Sequence, residues 1–171
     1  MPAGRTELST NFLQMVDSIQ QDAAEKDGTE ELQETAQKEL NRAMTAAVKK
    51  IDDVGELKGS RERRDEESVL ERRVCDPVTL DGREFVLSGD LSMESPSNRI
   101  FAGVVTVSVL REKANGKKEK LPVFVLSSGV NQNGKAKGTV ASVQGVAITE
   151  PGQLLSLASN LSKIVAKVKS R

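Results

Sequence analysis

The sequence predicts an α+β fold in which a helical hairpin precedes an antiparallel sheet of about five strands, with a C-terminal amphipathic helix packed on that sheet. Three observations support this prediction. Apolar residues recur at helical spacing before residue 57, alternate or run continuously between residues 83 and 148, and return to helical spacing after Pro151. We therefore expect a helical hairpin arm at 1–57, a charged linker or short helix at 58–73, and an antiparallel β domain with its helix at 74–171.

The composition favours a small aliphatic core. The chain has 171 residues, of which 37% are hydrophobic and 2% aromatic, all of them Phe. Such a core buries limited apolar surface, so association with other chains is a natural way to bury more. The 12 basic and 17 acidic residues up to Arg73 give a net charge of −5, whereas the 13 basic and 8 acidic residues that follow give +5. These opposed charges could attract each other within or between chains.

Two stretches before residue 57 predict the helical hairpin. The first, at about residues 6–26, has apolar residues spaced by four, three and four positions along one helical face. They are Leu8, Phe12, Met15 and Ile19. Asp27-Gly28 ends this helix, and Thr29 begins a second helix that Gly55 ends. Because the connection is short, the two helices should be antiparallel, and their apolar faces should pack on the sheet or on another copy of the chain.

The charged segment at 58–73 interleaves acids with bases, which indicates a solvated linker or helix rather than an anion-binding contact. Beyond it, residues 78–83 contain an Asp81-Gly82 turn signal typical of a β-hairpin. In the strand that follows, Phe85 and alternate residues point one way, and the mostly polar residues between them should meet water. The region from Arg99 to Thr149 contains the remaining strands.

The last helix has an apolar stripe with a heptad-like spacing of three and four residues. Its members are Leu154, Leu157, Leu161, Ile164 and Val168. This stripe predicts a helix that covers the sheet, and a short self-association seam is the alternative. The basic residues near its end also leave open a helix that lies on a membrane surface.

The chain lacks residue types that most catalytic mechanisms require. The chain has no histidine, which excludes serine–histidine and cysteine–histidine catalysis and histidine metal sites. Its single cysteine, Cys75, has no partner base and is expected to be a partly buried residue, although neighbouring arginines could depress its pKa. Residues 129–135 match the G-x-x-x-x-G-K pattern of a phosphate-binding loop, but Ala136 stands where Ser or Thr would hold magnesium, and a strand follows instead of a helix.

Basic residues could bind an anion in the C-terminal half. Five of them lie at one predicted hairpin tip and two on what the sequence suggests is a neighbouring turn. They are Arg111, Lys113, Lys117, Lys118 and Lys120, with Lys135 and Lys137. No Tyr or Trp is available to stack on bases, so any nucleic-acid contact would be to phosphate and strongly salt-dependent.

We therefore predict a non-enzymatic, oligomeric structural or assembly protein that acts through contacts with itself or another protein. The expected self-association residues are the apolar stripes of the first and last helices. No cofactor, metal or membrane partner is expected, and a phage, viral or bacterial accessory role in the cytoplasm fits this prediction. The main alternative is a phosphate-backbone binding protein, and a hydrolase built on residues 129–135 is a third possibility.

Overall fold

The computed structural model describes residues 29–63 and 67–169. Within these residues, helix α1 (Thr29–Val54) precedes eight strands, and helix α2 (Pro151–Lys167) follows them. The α+β class, the antiparallel sheet and the C-terminal helix are therefore confirmed. The first helix of the predicted hairpin, with Leu8, Phe12, Met15 and Ile19, lies outside the described residues. The described part of the chain has one helix before the sheet, so the hairpin is not observed there.

The strands form one antiparallel sheet in which every paired neighbour is close in sequence. The order is β1-β2-β4-β5-β6-β7-β8, and β3 pairs with β4 beyond the end of β2. The bounds are β1 (Glu56–Arg63), β2 (Ser68–Val74), β3 (Val78–Leu80), β4 (Arg83–Glu94), β5 (Ile100–Glu112), β6 (Lys118–Val130), β7 (Ala136–Val143) and β8 (Val146–Ile148). The expected turn at Asp81-Gly82 joins β3 to β4, and both residues have the positive φ that this tight turn requires.

The strand count corrects the prediction of about five strands, and the main cause is the segment at 58–73. That segment forms most of β1 and β2 instead of a linker or short helix. Every residue of β1 is exposed, and β1 is the edge strand of the sheet. Its charges therefore show no apolar alternation, and charged edges are a common protection against unwanted strand pairing. Pairing with β4, from Ser68 opposite Glu94 to Val74 opposite Ser88, places β2 in the sheet.

Both helices cover the same face of the sheet, which we call the inner face. α1 crosses β7 near Thr139, where Gln37 and Asn41 make hydrogen bonds, and reaches β4 near Gly89. α2 lies beside α1 and reaches β3 and β4. The two helices end together, since Lys50 Nζ donates a hydrogen bond to the carbonyl oxygen of Val168 at 3.3 Å. They therefore run in the same direction across the strands.

One hydrophobic core joins the helices to the inner face. It includes Leu40, Met44 and Ile51 of α1, Leu161 of α2, and Leu87 of β4. Gly89 allows a close approach, because a Cβ there would lie 3.0 Å from Ile51 Cδ1. α1 shares this core with the sheet. A shared core does not test the domain boundaries predicted at residues 57 and 73, which stay a prediction. No helix within the described residues is long and apolar enough to cross a membrane.

Side chains of α1 also cover part of the edge of β7. β8 pairs only with residues 141–143, which leaves the first part of β7 without a strand on that side. There, Thr45 Oγ1 accepts a hydrogen bond from the amide of Ala136 at 2.8 Å, and Asn41 Oδ1 accepts one from the amide of Thr139 at 3.0 Å. Gln37 Nε2 donates to the carbonyl oxygen of Thr139 at 3.1 Å. α1 thus satisfies backbone groups that a further strand would otherwise pair.

Candidate interaction surface

The face opposite the helices, which we call the outer face, has no helix over it among the described residues. Successive side chains of a strand point to opposite faces of the sheet. Gly89 and Gly103 approach the helices, so the residues next to them in sequence belong to the outer face. Strand register aligns the outward residues in rows across the sheet. The central row is Arg72, Asp90, Val104, Ser127 and Val140.

The two rows beside the central row contain mostly small side chains. One contains Leu70, Ser92, Ala102, Gly129 and Lys137, and the other Val74, Ser88, Thr106, Val125, Ser142 and Ala147. Val104 and Val140 of the central row are 38% and 62% exposed. A solvated face of an antiparallel sheet normally carries polar residues at such positions. The outer face therefore combines exposed aliphatic side chains with hydroxyl side chains and the charged Arg72, Asp90 and Lys137.

A shallow groove runs along the middle of this face. It has a volume of about 370 Å³ and crosses the sheet from Leu70 on β2 to Gly138 and Val140 on β7. We call it the outer groove. Ala102 and Ser127 form part of its wall, and no side chain larger than leucine lines it. Because its walls are small side chains, a partner with large apolar side chains could approach the sheet backbone closely.

Charged groups lie at the ends of the outer groove. Arg72 Nε donates a hydrogen bond to Asp90 Oδ1 at 3.0 Å, and this contact raises the pKa of the arginine above its usual value. Arg61 lies opposite Leu70 at the same end, and Lys137 lies opposite Gly129 at the other. The groove is therefore lined by aliphatic and hydroxyl side chains together with Asp90, and the groups beyond its ends are mainly basic.

The predicted self-association stripe of the last helix lies mostly inside the protein. Leu157, Leu161 and Ile164 are buried, and Leu154 is partly buried against the same core. Their heptad-like spacing matches packing of α2 on α1 and the sheet, the first of the two interpretations of the sequence. In the described chain these three side chains are not on the surface.

The basic residues proposed to bind anions do not form one patch. Arg111, Lys117, Lys118 and Lys120 are at the β5–β6 tip, whereas Lys135 and Lys137 are at the β6–β7 end. β6 separates the two groups, and its 13 residues span roughly 40 Å. The expectation of neighbouring turns was therefore wrong, because consecutive turns of an antiparallel meander lie at opposite ends of the sheet. Lys118 is also paired with Glu84 at 2.6 Å, and Arg111 lies 3.8 Å from Glu119.

The G-x-x-x-x-G-K stretch at residues 129–135 precedes a strand and not a helix. Residues 131–135 form a turn, in which Asn131 Oδ1 accepts hydrogen bonds from the amides of Asn133 and Lys135, and strand β7 follows it. No helix is present there to bind phosphate at its N-terminus. Within residues 29–63 and 67–169, no group of three acidic or cysteine side chains is placed to hold a metal ion.

Cys75 is buried, as the sequence suggested. Its burial, followed by the charge of Asp76, raises the pKa of the thiol to about 11, although Lys50 acts in the opposite direction. The depressed pKa that the neighbouring arginines suggested was therefore wrong. Val74 and Asp76 line a cavity of about 510 Å³ where the two helices end, and its charged groups include both Glu56 and Lys167.

The comparisons with known proteins give no relative to guide the interpretation. No family model matches the sequence, and neither a curated protein nor a solved structure matches the chain. The sequence indicated an outward polar face for β4 but missed the outer groove. The sequence signal for the groove was a pair of valines at outward positions of β5 and β7, two strands that are not adjacent. Val104 and Val140 break the polar alternation of these strands.

Proposed function

We propose that the protein is a non-enzymatic assembly protein, which forms homo-oligomers through its outer face. The observation that supports this proposal is the outer groove, with Val104 and Val140 exposed beside small side chains. Burial of aliphatic surface is the main favourable contribution to protein association, and small side chains on one surface leave room for large ones on its partner. The thin, aromatic-poor core gives a reason for association, because a second chain would bury further apolar area.

Light scattering coupled to size-exclusion chromatography tests this proposal on the full chain. We expect the wild-type protein to have the mass of at least two chains at micromolar concentration, and Val104→Lys to have the mass of one. Lysine adds a charge that the interface would have to desolvate, which is costly without a partner. Because Val104 is already 38% exposed, the substitution should leave the circular dichroism spectrum unchanged.

The matched control is Ser159→Lys, which adds the same charge on an exposed position of α2. It should keep the wild-type mass, because α2 lies on the opposite side of the sheet. A wild-type protein that stays monomeric at high concentration would contradict the proposal, as would a Val104→Lys protein that keeps the wild-type mass. Absorbance at 260 nm should be recorded in the same run, because the chain has no Trp or Tyr. A strong signal that salt removes would favour the phosphate-binding alternative instead.

A further inference from the structure

The outer groove and the start of the described chain share one edge of the sheet, at β7, although they lie on opposite faces. α1 crosses β7 at Gln37 and Asn41, so its first eight residues, about 12 Å of helix, lie beyond that strand. Residues 30–35 are exposed apart from the partly buried Leu32. The groove also ends at β7, at Gly138 and Val140. Residues 1–28, which we call the N-terminal segment, therefore join the structure at the same edge of the sheet as one end of the groove, but on the opposite face.

We propose that the N-terminal segment of one copy docks in the outer groove of a neighbouring copy. This inference rests on the proposed function and names the element that forms the contact. The sequence predicts a helix over residues 6–26, about 31 Å long, whereas the five strands from β2 to β7 span roughly 19 Å between the outermost axes. The segment is therefore long enough to cover the whole groove.

Side-chain size favours this occupant. The apolar stripe of the segment contains large residues, Leu8, Phe12, Met15 and Ile19. The groove is lined by small ones, including Ala102, Gly103 and Ser127. A surface of small residues packs best against large side chains, since two flat surfaces of small residues leave little to interlock. A second outer face would meet the groove with the same small side chains.

Charge favours the same occupant. The N-terminal segment has five acidic and two basic residues. Arg61 and Arg72 lie beyond one end of the groove and Lys137 beyond the other, while Asp90, which is paired with Arg72, lines the groove. Two outer faces in contact would bring these basic ends together, whereas the segment would bring a net negative charge to them. This argues against face-to-face association of two sheets.

The short connection favours docking on a neighbouring copy rather than on the same chain. A helix on the outer face and α1 on the inner face would be separated by about 20 Å, two layers of roughly 10 Å each. If the predicted helix continues to Lys26, only Asp27 and Gly28 join it to Thr29. Three Cα–Cα steps span at most about 11 Å, which is too short to pass from one face of the sheet to the other.

Complementation between two full-length variants tests the exchange. Phe12→Asp places a charge on the stripe of the segment, and Val104→Lys places one in the groove. Each variant alone should have the mass of one chain. An equimolar mixture should recover the mass of two chains, because the intact segment of one variant can dock in the intact groove of the other. A mixed dimer of Phe12→Asp and wild-type protein would also have one intact contact. Mixtures of these two proteins at a range of ratios therefore provide the reference mass for such a dimer.

Three outcomes would overturn the inference while leaving self-association in place. Phe12→Asp could keep the wild-type mass while Val104→Lys becomes monomeric, which would indicate contact between two outer faces. Phe12→Asp could become monomeric while Val104→Lys keeps the wild-type mass, which would place the segment on another surface. Finally, both variants could be monomeric without recovery on mixing. A monomeric wild-type protein would instead reject the proposed function itself, so the two failures are distinguishable.

Discussion

The hydrogen bond between Thr45 and Ala136 should make a measurable contribution to stability, and Thr45→Val tests it. Thr45 Oγ1 accepts from the amide of Ala136 and donates to the carbonyl oxygen of Asn41, both at 2.8 Å. Valine has nearly the same shape and a similar helix propensity, so the substitution removes little besides the hydroxyl group. Ala136 is 7% exposed, and its amide would lose its acceptor in a buried position.

We expect Thr45→Val to lower the free energy of unfolding by roughly 1–3 kcal/mol, the cost of leaving one buried donor unpaired. With a urea dependence of about 2 kcal/mol per molar, typical of small proteins, a loss of 2 kcal/mol moves the unfolding midpoint down by about 1 M. Circular dichroism at 222 nm during urea titration measures this shift. Thr45→Ser, which keeps the hydroxyl oxygen, should lose less stability.

Thr35→Val provides a control for the same chemical change, because Thr35 is exposed on α1. Its midpoint should stay within about 0.3 M of the wild-type value, as expected for surface substitutions. A Thr45→Val midpoint as close to the wild type as that of Thr35→Val would refute the reasoning. It would mean that the amide of Ala136 finds another partner and that α1 contributes little to covering the edge of β7.

Two further predictions follow from buried positions. Burial raises the pKa of the Cys75 thiol to about 11, so a thiol reagent at pH 8 should label the folded protein slowly and the urea-unfolded protein rapidly; equal rates would contradict this assignment. Because the folded-state pKa is raised, the associated stability is present below about pH 9 and should fall as the pH rises towards 11, a decline that Cys75→Ala should lack. Gly89→Ala should lower the urea midpoint, because the new Cβ would lie 3.0 Å from Ile51 Cδ1 and 3.3 Å from the carbonyl oxygen of Val104. Overpacking of this kind typically costs about 1–3 kcal/mol. An unchanged midpoint would show that α1 shifts freely.

Elements with a clear hydrophobic period were predictable from the sequence. In β4, Phe85 and alternate residues were assigned to one face, and Leu87 and Leu91 among them are buried. The second predicted helix also agrees closely with α1, because Thr29 and Gly55 mark its two ends. In these elements the burial of one face determines both the local structure and the sequence pattern.

Elements stabilised mainly by pairing were not predictable. β1 has no buried residue, and its charges resemble those of a solvated linker. β2 pairs along β4, and Arg72 forms an ion pair with Asp90. The local sequence pattern of neither strand predicts this pair. A strand of this kind depends on hydrogen bonds and side-chain pairs with its neighbour, which lie outside the sequence window from which it would be predicted.

The outer groove could not be predicted for a related reason, and its composition bears on how the protein would associate. Its central row takes one residue from each of five strands, so Val104 and Val140 become neighbours of the same groove only when the register is known. Each valine alone is an ordinary surface residue that needs no explanation. Together with Ala102 and Ser127 they form a surface without large side chains, which by itself offers little apolar area to a second copy of that surface. Large apolar side chains recur along one face of the helix predicted for the N-terminal segment. For this reason a contact between segment and groove would bury more apolar surface than a contact between two outer faces.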